Sequence, residues 1–301
     1  MNKFKYSLIT ILVLSVCLAL SAQACTITID ELALWSGGSI TTGNNVTVTG
    51  TMASASGVSL NSGSSVGSIY TLGGIWLGNG VTVSGDAVAK GTVTTAKSAV
   101  ITGSSSGNTS FTLPGLDYLT QTAIGTTSIY AAANSSTTLS PGTYSSWSLS
   151  NGTTINLSSG SYSLSSLWIG SSSVVNIDTS AGDVILNVVG SFSVSSGVTF
   201  VTSGSGTLYI NVFNSSVWLD NSVSLTGVIS VFGGGLSTGS SVSLTGSVYA
   251  TGNIYLGNDT SVTYVAFTNI PEPASLIMFG AAGFILTVRS RRASTNTSSA
   301  V

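Results

Sequence analysis

Four segments of this chain repeat one phrase. They are Ile75-Trp76-Leu77-Gly78-Asn79-Gly80-Val81-Thr82-Val83, Leu167-Trp168-Ile169-Gly170-Ser171-Ser172-Ser173-Val174-Val175, Val217-Trp218-Leu219-Asp220-Asn221-Ser222-Val223-Ser224-Leu225 and Ile254-Tyr255-Leu256-Gly257-Asn258-Asp259-Thr260-Ser261-Val262. Each reads as an apolar-aromatic-apolar strand, a short Gly/Asn/Ser turn and a second strand. Weaker copies lie at 40–48, 192–200 and 236–244. A unit this short cannot bury an apolar face alone, so copies must stack on one another.

The spacing sets the kind of stack. Taking Ile155, Val174, Val198, Val223, Val242 and Val262 as equivalent second-strand positions gives steps of 19, 24, 25, 19 and 20 residues. One turn of a parallel solenoid, with two or three short strands and their corners, needs roughly 20 to 25 residues. Runs such as Val46-Thr47-Val48-Thr49 and Val223-Ser224-Leu225-Thr226 alternate with period two. That alternation predicts Val and Leu inward, Thr and Ser outward. No stretch shows a 3.6-residue period. The expected fold is all-β, a right-handed parallel β-helix (β-solenoid).

Composition agrees with that fold. Of 301 residues, 43% are hydrophobic and 5% charged, with 36 Gly and no His. Stacked like charges would repel along a solenoid axis, whereas stacked Asn or Ser can share hydrogen bonds. The lack of His removes a His general base, a His metal ligand and a Ser-His-Asp triad. Between residues 25 and 270 there are two Lys and eight acidic residues, a net charge of −6. No basic surface for nucleic acid is expected.

Residues 1–24 read as a secretory signal peptide. Lys3 and Lys5 form the basic start, residues 8–20 the apolar run, and Ala22-Gln23-Ala24 the small-x-small cleavage pattern. Cleavage after Ala24 leaves Cys25 first, either as a free thiol or as a lipidation site. The expected partners of this end are the Sec translocon and signal peptidase.

At the other end, Pro271-Glu272-Pro273 precedes an apolar run, 276–288, and then Arg289, Arg291 and Arg292. The prolines lack N–H donors and keep the peptide extended. The 15 residues of 274–288 would make a helix of roughly 22 Å, short for a ~30 Å hydrocarbon core. The arginines favour a cytoplasmic end. This order resembles the PEP-CTERM sorting segment. The resemblance implies export, transient anchoring in the inner membrane by the C-terminal helix, and processing by an exosortase near Pro271, Glu272 and Pro273. A polar tail, 293–301, extends past the Arg cluster where the family usually stops. A plain membrane anchor is the alternative.

The middle carries two further resemblances. Leu139-Ser140-Pro141-Gly142-Thr143-Tyr144 and its degenerate echo Leu157-Ser158-Ser159-Gly160-Ser161-Tyr162 resemble a β-helix family of bacterial surface and pilus-associated proteins, over about 139–265. Residues 35–105 resemble the short rungs of bactofilin-like proteins. The expected layout is an N-terminal solenoid block at 25–138 with an irregular excursion, a C-terminal block at 139–268, and the sorting segment at 269–292.

Chemistry would have to rest on carboxylates. Asp178 and Asp183 are near in sequence, and Asp220 and Asp259 are read as related turn positions two rungs apart, roughly 9.5 Å at ~4.8 Å per rung. A polysaccharide-cleaving site needs such acids close together, usually with a basic residue nearby. No Lys or Arg lies between Lys97 and Arg289. Turn formation by these side chains is the expectation, with no catalytic residues, metal site or cofactor. Trp76, Trp168, Trp218 and Tyr255 leave two readings open. Pointing outward on one face, they would stack on sugar rings; pointing inward or packed at a rim, they would stabilise the solenoid, and that is the plainer expectation. The chain is thus read as an exported structural or adhesive surface protein of an exopolysaccharide matrix. A carbohydrate-binding module is the alternative, and a β-helix enzyme a remoter one.

Overall fold

The computed structural model describes residues 27–116 and 119–266. Ala22, Ala24 and Cys25 lie outside the described residues, as do Pro271, Glu272, Pro273, Arg289, Arg291, Arg292 and the 276–288 run. Among the described residues no helix is long and apolar enough to cross a membrane.

The chain is all-β. Among the described residues thirty-one short strands form an 11-stranded and a 20-stranded sheet that wrap a common axis, and neighbouring strands run parallel. The 11-stranded sheet is the first face of a three-faced solenoid, so there are eleven rungs. The 20-stranded sheet supplies the other two faces, Ser224–Phe232 and Ser243–Ala250 each running through both.

Alternation decides what each strand buries. In Ser166–Ile169, Leu167 and Ile169 are buried and Trp168 is exposed; in Ser146–Leu149, Trp147 and Leu149 are buried and Ser146 and Ser148 face outward. On the second face one inward column holds Ile155, Val175, Phe200, Leu225, Leu244 and Val262, then Val48, Val66 and Val83. This corrects the anchors read from spacing. Ile155 and Val262 share that column, but Val198, Val223 and Val242 sit two residues earlier, buried at the corner. Val174 faces outward between Thr154 and Thr199. A slip of two residues preserves parity and a slip of one reverses it.

The corner between the first and second faces is made by one left-handed residue per rung in ten of the eleven rungs: Asn134, Gly152, Ser172, Gly197, Ser222, Ser241, Asp259, Asn45, Gly63 and Gly80, with φ between +55° and +72°. Gly and Asn take that conformation at little cost. Corner side chains also tie rungs together. Asn151 Oδ1 accepts from Ser171 N at 2.9 Å, Asn221 Oδ1 from Ser240 N at 2.7 Å, and Asn258 Oδ1 from Asn44 N at 2.8 Å. The expected Asn ladder forms within the sheets: Asn176 Nδ2 donates to Asn156 Oδ1 at 2.9 Å and Asn211 Nδ2 to Asn187 Oδ1 at 3.0 Å.

The rungs do not stack in chain order. The stack begins at Ile129–Ala131 and climbs through 263. Leu32–Ser36 then pairs with the end of Ser243–Ala250, Ser39–Thr42 with Ile254–Leu256, and Thr47–Val48 with Ser261–Thr263. The seventh rung is therefore built from both ends of the described chain. Residues 32–106 continue the solenoid beyond residue 263. To connect the blocks, the chain returns along the third face. Phe111 meets Tyr70 edge-on, Pro114 O accepts from Trp35 Nε1 at 2.9 Å, Gln121 Oε1 from Asn214 Nδ2 at 3.2 Å, and Thr122 and Ser163 share a 2.9 Å hydrogen bond. Ten rung spacings are about 48 Å, well within the reach of 22 residues at ~3.3 Å each.

This strap explains a row of outward yet buried residues: Ser163, Asn187, Asn211, Ser230, Tyr249, Trp35, Ala53 and Tyr70. Leu32, Trp35, Ala53, Tyr209, Val228 and Tyr249 form a second apolar cluster there, with Leu113 and Leu116 packed against it. Burial pushes the Tyr249 phenol up to about 12. An unfolded-chain phenol titrates near ~10. The stability this burial contributes is therefore present below pH ~10, falls as the unfolded chain's phenol ionises above it, and stops falling once the folded phenol ionises as well. Urea titrations across that range should show this slope, and Tyr249→Phe should flatten it, leaving the smaller part due to Tyr144, Tyr209 and Tyr264.

Candidate sugar-stacking face

The first face carries a set of exposed aromatic side chains. Trp76, Trp168, Trp218 and Tyr255 all point outward from its strands, each between 43% and 48% exposed. The plainer expectation of an inward or rim-packed stack does not describe them. Two aromatics of this face do turn inward, Phe192 and Trp147; Trp147, 2% exposed, packs edge-on against Tyr144 and Tyr162 with centroids 5.2 and 5.8 Å away. Parity separates the two kinds. Trp168 lies between Leu167 and Ile169, which turn inward and send it out. Trp147 lies between two serines and is sent in.

Register places the outward aromatics in one column. Read along the axis it is Tyr130, Ser148, Trp168, Ser193, Trp218, Ser237, Tyr255, Thr41, Ser59, Trp76, Thr94. Rings occupy alternate rungs from Tyr130 to Tyr255, and small hydroxyl residues occupy the rungs between. Two rungs are roughly 9.5 Å. Then the pattern lengthens, with two hydroxyl rungs separating Tyr255 from Trp76. There the surface sinks into an open trough of about 410 Å³, with Thr41, Gly57, Ser59 and Trp76 among the residues that line it.

Tyr130 was not picked out from the sequence, although it is the most exposed ring of the column at 74%. The signal was present: Ile129-Tyr130-Ala131 has the same apolar-aromatic-apolar form as Ile254-Tyr255-Leu256. The hydroxyl residues Ser148, Ser193 and Ser237 gave no local signal, because their place depends on register alone.

No strand of the first face contains a charged residue. Of the acids weighed for chemistry, Asp183, Asp220 and Asp259 sit at corners and Asp178 near the end of strand Val174–Thr179, all engaged with neighbouring groups. Asp220 accepts from Asn221 N and Ser196 Oγ, each at 2.8 Å. Asp259 accepts from Asn45 Nδ2 at 3.1 Å, Asp183 from Thr207 N at 2.8 Å, and Asp178 from Ser180 N at 2.9 Å. The Ser180 hydroxyl and amide hold the Asp178 carboxyl below its ordinary value. Register also separates the pair read as equivalent. Asp220 aligns with Gly239 and Gly257, whereas Asp259 aligns with Ser222 and Ser241. They are turn residues at different corner positions.

No family model matches the chain, and no curated protein matches it. Among solved structures, a "possible adhesin C-terminal domain" from Caldicellulosiruptor kronotskyensis is similar at 13% identity with a TM-score of 0.21. The match covers 84% of this chain and 62% of that one, so the chain spans less than two thirds of that structure.

Proposed function

We propose that this protein is an exported adhesive solenoid that holds matrix polysaccharide on its first face. The observation that carries the reading is the single column of outward aromatics on a charge-free parallel sheet. Aromatic rings left half-exposed in register are costly for a monomer to keep bare. Their faces suit the apolar faces of sugar rings, and the neighbouring hydroxyls suit sugar hydroxyls. The reading is non-catalytic. Its support is that Asp178, Asp183, Asp220 and Asp259 are each held by turn or inter-rung hydrogen bonds, with no Lys or Arg between Lys97 and Arg289.

The test is retention of the purified protein in gels cast with the exopolysaccharide of the producing cell. Retardation that disappears when the aromatics are removed supports the reading. Unretarded migration of the wild type retires it.

Delivery belongs to the same proposal. The signal peptide at 1–24 would export the chain, and an exosortase would process it at Pro271, Glu272 and Pro273 after the apolar run at 276–288 and Arg289, Arg291 and Arg292 had held it at the inner membrane. Glu272→Ala is expected to leave a membrane-bound form that keeps the tail to Val301. Intact mass spectrometry of the cell-surface and membrane fractions reads the result. Unchanged processing of Glu272→Ala would remove the exosortase from the account.

A further inference from the structure

We propose that the first face takes a neutral, β-1,4-linked polysaccharide in extended form, laid along the solenoid axis with every second sugar stacked on a ring. This rests on the sugar-binding reading above and gives it a ligand class. Three observations lead to it. First, the rings from Tyr130 to Tyr255 recur every two rungs in a straight register, roughly 9.5 Å apart. In an extended β-1,4-linked chain successive sugars are flipped, so equivalent ring faces recur once per disaccharide, close to that distance. An α-1,4-linked chain coils and would leave a straight column after one or two contacts. Second, Ser148, Ser193 and Ser237 lie between the rings. Their small side chains leave the backbone of the ligand unobstructed and their hydroxyls reach its edges. Third, the strands of this face carry no charge and the region 25–270 is net negative. A polyanionic glycan would meet no cation and a repulsive field.

The column also sets a length. Tyr130 to Tyr255 spans six rungs, about 29 Å, which about seven sugars would cover with the first, third, fifth and seventh stacked. Beyond Tyr255 the trough over Thr41 and Ser59 breaks the period.

The experiment is a calorimetric titration of the full mature chain with cellobiose, cellotetraose, cellohexaose and maltohexaose. Each added stacked ring is expected to raise affinity about fivefold. Maltohexaose is expected to bind at least about tenfold more weakly than cellohexaose. Trp168→Ala should remove one step from the series; its side chain is outward and half-exposed, and an unchanged melting curve verifies the fold. Affinity independent of length, or equal affinity for the two hexaoses, overturns the ligand class. If aromatic-dependent retention by the native exopolysaccharide persists in that case, the sugar-binding reading survives without it. If no glycan binds in an aromatic-dependent way, both fall.

Discussion

Replacing Trp168, Trp218 and Tyr255 together with Ala should abolish retention by polysaccharide while leaving the solenoid folded. Each stacked ring contributes about 1 kcal/mol, so three amount to a loss of roughly two orders of magnitude in affinity. Stability should change little, because all three side chains point outward and are 43–48% exposed. The control runs the other way. Trp147→Ala removes a fully packed inward ring that meets Tyr144 and Tyr162. It should cost about 3–5 kcal/mol of stability. The two variants, compared by gel retention and thermal melting, separate the binding column from the core on the same sheet.

The second large effect is expected at Trp35→Ala. Trp35 lies on the third face of the composite seventh rung, beneath the returning strap, and donates to Pro114 O. Its removal opens a cavity among Leu32, Ala53 and Tyr249 and leaves Pro114 O without that donor. The expected cost is about 3–5 kcal/mol. In a stack whose rungs touch only their neighbours, the damage should be local. Hydrogen exchange should accelerate in 27–49, in 107–116 and in 243–264, and remain slow in rungs such as Thr154–Ser158 and Val174–Thr179. Uniform acceleration throughout the solenoid would contradict the composite seventh rung as a discrete joint.

Much of a rung is legible in the sequence and little of the stack is. The Gly/Asn/Ser corners appear in the repeat phrase, and the structure makes them left-handed residues at Ser172, Gly197 and Ser222. Parity within a strand was written in the flanking residues, yet the plainer expectation of an inward or rim-packed aromatic stack did not follow it. Flanking Ile75 and Leu77 turn Trp76 outward, as flanking serines turn Trp147 inward. The register between rungs was less legible, because corner and strand positions are both apolar. Val198, Val223 and Val242 could thus be mistaken for partners of Ile155 without breaking the alternation. The order of rungs was not legible at all. Every parallel rung offers the same hydrogen-bonding edge, so nothing local in Leu32–Ser36 says that it stacks on Ser243–Ala250. The contacts that decide it, Ser36 Oγ to Gly252 O at 2.7 Å and Asn44 N to Asn258 Oδ1 at 2.8 Å, join residues more than 200 positions apart. The column of rings follows from that order, since Trp76 enters it only once the first block is set beyond Tyr255.

The most direct test is the set of indole N–H resonances, one from each of the five tryptophans. Adding cellohexaose should shift the signals of Trp168 and Trp218, which lie within the evenly spaced part of the column. The signals of Trp35 and Trp147, buried beneath the strap and in the core, should stay in place. Shifts confined to the buried pair, or no shift from any of the five, would contradict a sugar-binding first face.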